Sequence, residues 1–341
     1  DANGTWASIY EFRPSTEIQN QRFGRDISFR GNLMVAGSSS AYFTQPTPGA
    51  VYVFEGSGQT WTEVAKLNAS DASNNDQFGS VSADSNRIAV GAYLADEGNH
   101  TNSGAAYIFE RESNGTWVER IRLLANDVDT GDYFGRSVSL YADRLLVGAS
   151  NGHNDANATT GAAYLYSRLN QTSWVQEKKF YPIDSNGTYD SYGFEVALDG
   201  NYSFVGAPGQ SFNGVNEVGA VYIYKRLQTG QWVDDVKLVP ADGVALDNFG
   251  FSIDAVGKSL LIGAPGDSNS THGNLKGKTY WYERDDNGNW NLRAIFRAHD
   301  GKQGDAFGRA VAVGSNFFVG APLRDDRGSA SGATYSYENT N

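Results

Sequence analysis

Alternating and apolar stretches follow one another in the same order six times along the chain. In residues 232–282, Trp232 opens an alternating run that ends at Lys237-Leu238. A polar turn from Asp242 to Asp247 leads into Phe249-Gly250 and an apolar alternation through Ile253. A tight turn at Gly257-Lys258 precedes Leu260-Leu261-Ile262 and then Gly263-Ala264-Pro265. A loop rich in Asp, Asn, Ser and Gly reaches Gly277, and Thr279-Tyr280-Trp281-Tyr282 closes the unit. Period-two alternation bounded by turn residues predicts strands. Self-similarity at this length predicts a repeat architecture with four strands per unit.

The register is tight. An aromatic followed by Gly falls at Phe23, Phe78, Phe134, Tyr192, Phe249 and Phe307, in steps of 55, 56, 58, 57 and 58 residues. A Trp stands 17 or 18 residues ahead of each, at Trp6, Trp61, Trp117, Trp174, Trp232 and Trp290. A small pair ends each second run, from Ala36-Gly37 to Gly320-Ala321, and a Tyr marks each third run at Tyr52, Tyr107, Tyr164, Tyr222, Tyr280 and Tyr335. Residues 5–12 read as a fourth strand with no first three before it. The last repeat supplies three strands and stops. Pairing these ends closes a ring and protects strand edges that invite aggregation. The expected fold is therefore all-β, a six-bladed β-propeller of four-stranded antiparallel blades. The blades fall at about 23–67, 78–123, 134–180, 192–238, 249–296, and 307–338 joined by 5–12, in one domain spanning 1–341.

Composition narrows the function. The net charge of −12 with no lysine-rich block argues against nucleic acid, whose phosphates need clustered cations. No apolar run reaches the roughly 20 residues that a transmembrane helix needs. No leader pattern is read, and Asp1 looks like a processed start. The absence of cysteine removes disulfides and thiol chemistry. Nine Asn-X-Ser/Thr sequons occur, at Asn3, Asn68, Asn99, Asn114, Asn157, Asn170, Asn186, Asn201 and Asn269, all in expected turns or loops. They point to an extracellular, glycosylated chain.

Phe-Gly, then a strand ending Gly-Ala-Pro (206–208, 263–265, 320–322), then Gly-Ala-x-Tyr, resembles the FG-GAP repeat. That repeat builds the propeller of integrin α subunits and many secreted or surface proteins of microbes. The resemblance implies a binding face made by the second-to-third and fourth-to-first strand loops. Two departures stand out. The integrin propeller has seven blades against six here. Its calcium loops lie between first and second strands, where this chain has only short turns such as Ser82-Ala83-Asp84-Ser85-Asn86. Those calcium sites are not carried over.

Four constellations bear on chemistry. Asp recurs two residues ahead of the repeat aromatic at Asp76, Asp132, Asp190, Asp247 and Asp305. An earlier Asp stands at Asp71, Asp127, Asp184, Asp242 and Asp300. Calcium ligation is one reading. A turn in which carboxylates accept backbone N–H bonds is the other, and recurrence in nearly every blade favours it. Should calcium bind, Asp127, Asp129 and Asp132 form the richest loop for it; no cofactor is required. Arg25, Arg136 and Arg309 follow Phe-Gly directly. They could hold an anionic ligand such as a sialic acid carboxylate, or stack between blades. His100, His153, His272 and His299 sit at different offsets and do not suggest a shared zinc site. Ser113-Asn114-Gly115-Thr116-Trp117 has only the tail of a sialidase Asp-box, and no hydrolase triad is read.

The expectation is thus an extracellular binding or adhesion module for a protein or glycan ligand, without catalysis. A structural subunit of a glycosylated, self-associating assembly and a glycan-processing hydrolase with an axial pocket are the alternatives.

Overall fold

Each repeat unit forms one antiparallel sheet in the computed structural model. The structure describes residues 10–16, 21–40, 47–154, 158–184, 190–266, 276–325 and 331–338. Blade two shows the plan. Phe78–Ala83, Arg87–Ala92, Ala105–Arg111 and Trp117–Leu123 pair in chain order, each antiparallel to the next. Four-stranded sheets of the same order lie at 21–67, 134–180, 196–238 and 252–296. The sixth has Ala310–Val313, Asn316–Ala321 and Ala333–Glu338, three strands among the described residues. The fold is a six-bladed β-propeller, with no helix among the described residues. Of the closing strand expected at 5–12, residues 5–9 lie outside the described residues. Tyr10, Glu11 and Phe12 carry no strand assignment.

The chain divides into two compact units, Asp1–Leu145 with Tyr166–Gln176, and Leu146–Leu165 with Glu177–Asn341. In the first unit, Phe78 and Phe134 are fully buried. Phe78 sits edge-on to Tyr107 at 5.5 Å. Removing a ring of this size from water contributes about 1.5–3 kcal/mol. Phe12 packs edge-on against Phe54 and Trp61, each at 5.3 Å. In the second unit Tyr192, Phe249 and Phe307 fill the same role. There the paired first strand starts later than the alternation suggests, at Val196, Ser252 and Ala310. In both units the repeat aromatic also bonds the preceding blade. Its N–H bonds the end of the previous blade's second-to-third loop, as from Phe249 to the Val218 carbonyl at 2.9 Å. Gly219 and Phe249 form a parallel bridge there, as Gly104 and Phe134 do in the first unit.

Phe-Gly itself is the centre of a tight turn. The Arg136 N–H donates to the Tyr133 carbonyl at 3.2 Å, and the Phe251 N–H to Asn248 at 3.1 Å. Gly135 and Gly250 hold φ of 86° and 91°, the left-handed geometry that a type II turn demands at its third residue. The carbonyl of this glycine then meets the second strand of the preceding blade. A Cβ at Gly91 would lie 2.0 Å from the Gly135 oxygen, and one at Gly206 would lie 2.2 Å from the Gly250 oxygen. Blade one uses Gly37, 1.9 Å from the Gly79 oxygen by the same construction, so Gly37 rather than Ala36 aligns with Gly91.

Side chains also join neighbouring first strands. Asp26 accepts the Val81 N–H at 2.7 Å and Ser82 Oγ the Leu140 N–H at 2.9 Å. In the second unit Asp254 accepts the Val313 N–H at 2.7 Å.

Candidate functional site

The fourth-to-first loops are pinned at two points. The Asp just ahead of each repeat aromatic is buried, as Asp76, Asp132, Asp190, Asp247 and Asp305 all are. Four of them accept the N–H of the residue three positions earlier. The distances are 2.7 Å at Asp76, 2.8 Å at Asp132, 3.0 Å at Asp247 and 2.7 Å at Asp305. Charge-assisted bonds of this kind are roughly twice as strong as neutral ones.

The earlier Asp takes a hydroxyl. Tyr107 donates to Asp71 at 2.8 Å, Tyr222 to Asp184 at 2.7 Å, Tyr280 to Asp242 at 2.7 Å and Tyr335 to Asp300 at 2.8 Å. Thr16 stands at this register in blade one, and its carbonyl accepts from Tyr52 at 3.1 Å.

A cation completes each unit. Arg122 reaches Asp71 at 2.9 Å, and Lys237 reaches Asp184 at 2.8 Å. Lys66 lies 5.4 Å from the Tyr52 ring and Lys179 lies 5.7 Å from Tyr164. These four are equivalent positions on the fourth strand. In blade five that position is Ile295, directly across from Tyr280. Lys278 supplies the charge instead, 2.9 Å from Asp247 and 3.4 Å from Asp242. Lys278 occupies the place held by Ala in every other repeat. In blade six Arg324 grips Asp300 with two bonds of 2.6 Å.

Burial pushes the Asp184 carboxyl up, but the Lys237 ammonium and the Tyr222 hydroxyl outweigh it and hold the group below the usual carboxylate range. Asp242 is likewise lowered: Tyr280 and Lys278 overcome its burial. Asp76 goes the other way, raised by burial against the Ser73 N–H bond. A lowered carboxylate stabilises the fold above its unfolded value of about 3.9, and that contribution is lost as pH falls through the folded value. Thermal denaturation below about pH 4 is therefore expected to show a loss of stability that Asp242→Asn reduces. Equal pH slopes for the two proteins would contradict this role.

Three side chains form a row in the second unit. Phe194, Phe251 and Arg309 each stand two residues past the repeat aromatic, in consecutive blades. Phe194 and Phe251 are half-buried, with ring centroids 4.8 Å apart and planes tilted by 48°. The exposed Arg309 guanidinium lies 4.8 Å over the Phe251 ring. In the first unit the same register holds Arg25, Ser80 and Arg136. Arg136 lies 5.2 Å over Tyr93, which meets Tyr133 edge-on at 6.1 Å. Arg25 is exposed.

A polar cleft of about 450 Å³ opens on the opposite set of connections in the first unit, between the turn at Asp84-Ser85-Asn86 and the hairpin at Glu112-Ser113. Its walls are cross-braced. Arg87 bonds Asp84 and Asp143, Arg111 bonds Glu55 at 2.8 Å, and Arg168 bonds the buried Glu110 at 2.6 Å.

The three candidate calcium ligands are placed as follows. Asp132 is spent on the Asp129 N–H, and Asp129 accepts the Thr130 N–H at 2.7 Å and lies 3.4 Å from His100. Asp127 is exposed. Among the described residues no group of three or more His, Asp or Glu side chains is arranged to hold a metal. His299 lies 3.7 Å from Asp300, while His272 is outside the described residues. Of the sequons, Asn68, Asn99, Asn114, Asn170 and Asn201 are exposed; Asn3, Asn157, Asn186 and Asn269 lie outside the described residues. Asn170 ends the strand Ala162–Asn170 rather than lying in a loop.

Sequence reasoning missed the loop cation, the Phe194 and Phe251 positions, and the arginines at Arg111, Arg168, Arg226 and Arg284. Signals existed for the arginines and the phenylalanines. Those arginines recur four residues past the third-strand Tyr, and the phenylalanines share the register of Arg25, Arg136 and Arg309.

No helix among the described residues is long and apolar enough to cross a membrane. The curated proteins offer no match to the chain. Among solved structures, a protein from Lactobacillus plantarum is similar with a TM-score of 0.55 at 13% identity, over 92% of this chain and 80% of that one. Sqt1 from Chaetomium thermophilum is similar with a TM-score of 0.50 at 10% identity, over 89% and 68%. At such identities the likeness concerns the fold alone. The FG-GAP repeat model matches residues 61–109, 117–166, 174–224, 232–282 and 290–337. Each match begins at a fourth-strand Trp and ends in the third strand of the next blade, which is the phase of the repeat read above. With well over half of its length matched in this way, the chain belongs to the FG-GAP repeat family.

Proposed function

We propose that the chain is an extracellular or cell-surface binding module, which recognises a protein or glycan ligand through its second-to-third and fourth-to-first loops and carries out no chemistry on it. One observation carries this reading. The fourth-to-first loops are held at both Asp positions by buried carboxylates, Tyr hydroxyls and cations, so they form a rigid base. A contact surface held this way loses little entropy on binding. Exposed groups such as Phe212 and Asn99 stand on the adjoining second-to-third loops. The exposed sequons fit an extracellular setting. Glycosidase treatment of the chain from a eukaryotic host is expected to shift its mass; an unshifted mass would remove this support.

The test is a binding screen on a glycan array and a panel of cell-surface and matrix proteins, with and without calcium. Binding weakened by Phe212→Ala or by substitution at Asn99, and unaffected by Lys258→Ala in a first-to-second turn, is the expected result. Failure to bind any member, or sensitivity confined to the short turns, would sink the proposal. Self-association in sedimentation without ligand binding would favour the structural subunit.

A further inference from the structure

We infer that the polar cleft of the first unit seats the first sugars of a glycan carried on Asn170. This rests on the glycosylated, extracellular setting proposed above, and it adds a sugar site on the connections opposite the ligand loops. Arg168 and Asn170 stand two residues apart in the strand Ala162–Asn170, so their side chains share one face. Arg168 lines the cleft and bonds Glu110 of the neighbouring blade, and Gln171 lines it too. Asn170 therefore stands at the cleft mouth. Its Oδ1 accepts the Thr172 N–H at 3.0 Å and the Thr172 hydroxyl at 3.3 Å. Asn170 is exposed, and its Nδ2, the atom that takes the sugar, meets no hydrogen-bond partner among the described residues. Asn114 lies in the turn of the other hairpin, where the Gly115 N–H bonds the Glu112 carbonyl at 2.9 Å, and no strand aligns it with the lining residues.

The cleft has the chemistry of a seat for a neutral, hydroxyl-rich group. Three guanidinium groups and three carboxylates line it, Arg87, Arg111 and Arg168 with Asp84, Glu110 and Glu112, so it favours neither an anion nor a cation. The Glu110 side chain is 7% exposed. One of its oxygens accepts from Arg168 at 2.6 Å, while the other has only the Arg120 Nε, 3.8 Å away and beyond hydrogen-bond reach. A carboxylate oxygen placed so deeply calls for a donor. Arg111 gives one side-chain bond, to Glu55, and its other N–H groups have no acceptor among the described residues. The exposed side chains of Ser113 and Gln171 have no partner among them either. A sugar hydroxyl donates and accepts at once, so neighbouring hydroxyls answer a carboxylate and a guanidinium together. The volume of about 450 Å³ falls within the roughly 300–1,000 Å³ of small-ligand sites. Every lining residue is polar, so a free sugar buries little apolar surface there. A tethered sugar arrives at an effective concentration in the millimolar range, and weak polar contacts then suffice to hold it.

The whole chain made in a eukaryotic host tests this. An N-glycosidase is expected to release the Asn170 glycan from the native chain at least tenfold more slowly than from a Ser113→Ala, Gln171→Ala double variant, which keeps the sequon. The difference should vanish once both proteins are denatured. Asn170→Gln should lower the denaturation midpoint of the glycosylated chain, whereas Asn114→Gln should not. The same Asn170→Gln change in a chain from a host that adds no glycans controls for the lost Thr172 bond, and there the midpoint should move less. Calorimetry of that unglycosylated chain with N,N′-diacetylchitobiose separates the sources of sugar, and binding only at millimolar concentration is expected. Micromolar binding would assign the cleft to a foreign saccharide and overturn the inference. So would equal release from the native chain and the double variant, or an equal midpoint change in both hosts. A chain with glycans on other sequons and none on Asn170 would sink this seat alone, while a chain with no glycan at all would also remove the sequon support for the extracellular reading.

Discussion

A Gly91→Ala variant is expected to lose about 3–5 kcal/mol of stability. Its Cβ would lie 2.0 Å from the carbonyl oxygen of Gly135 and 2.8 Å from the carbonyl carbon. Both atoms are main chain, and the oxygen belongs to the turn that seats the buried Phe134. No side chain can swing aside, so either the strand or the neighbouring blade must move. Gly31→Ala is the control. Gly31 has φ of 62° and nothing within 4 Å of a Cβ, so alanine there meets only the left-handed strain of about 1–2 kcal/mol. Chemical denaturation should show a far lower midpoint for the first variant than for the second, with similar slopes. Equal midpoints would mean that close approach between blades is not what the second-strand glycine serves.

Lys278→Ala restores the residue that the other repeats carry at this position, yet it is expected to cost about 2–4 kcal/mol. The side chain of Asp247 is 2% exposed and lies 2.9 Å from the Lys278 ammonium. Removing the cation leaves a buried carboxylate with the Val244 N–H and no counter-charge. The partner that other blades use can be put back. Ile295 faces Tyr280 across the sheet, as Lys237 faces Tyr222. In those blades the fourth-strand cation meets the earlier Asp, as Lys237 meets Asp184, so Lys278→Ala with Ile295→Lys should recover the share of the loss that falls on Asp242. Urea midpoints of the single and double variants decide it. A double variant no more stable than Lys278→Ala would show that the two cations are not alternatives for one role.

The blade plan was legible because its physical causes are local and repeated. Strand alternation, the turn glycine after each aromatic and the outer Trp occur at one spacing, so six weak signals reinforce each other. The turn reading of the paired aspartates was legible for the same reason. Partners of the earlier Asp were less so. Tyr107 lies 36 residues from Asp71, and only strand pairing across the blade brings them together. Lys278 was overlooked because it breaks the repeat, and a departure has no meaning until Ile295 is seen opposite Tyr280. Phe194 and Phe251 carry no such signal by themselves, because an apolar residue in a strand register reads as packing until its exposure is known.

Sequence alone determined the number of blades, the residues that wedge them and the turns that connect them, since each depends on contacts within about 60 residues that recur in every unit. Only the tertiary structure decided which cation serves which loop and which of the six equivalent positions beyond Phe-Gly lie together. Those outcomes depend on distances between side chains on adjacent strands and blades. A repeat of fixed length states that such positions are equivalent, but the packing of ring on ring and ammonium on carboxylate sets which of them touch.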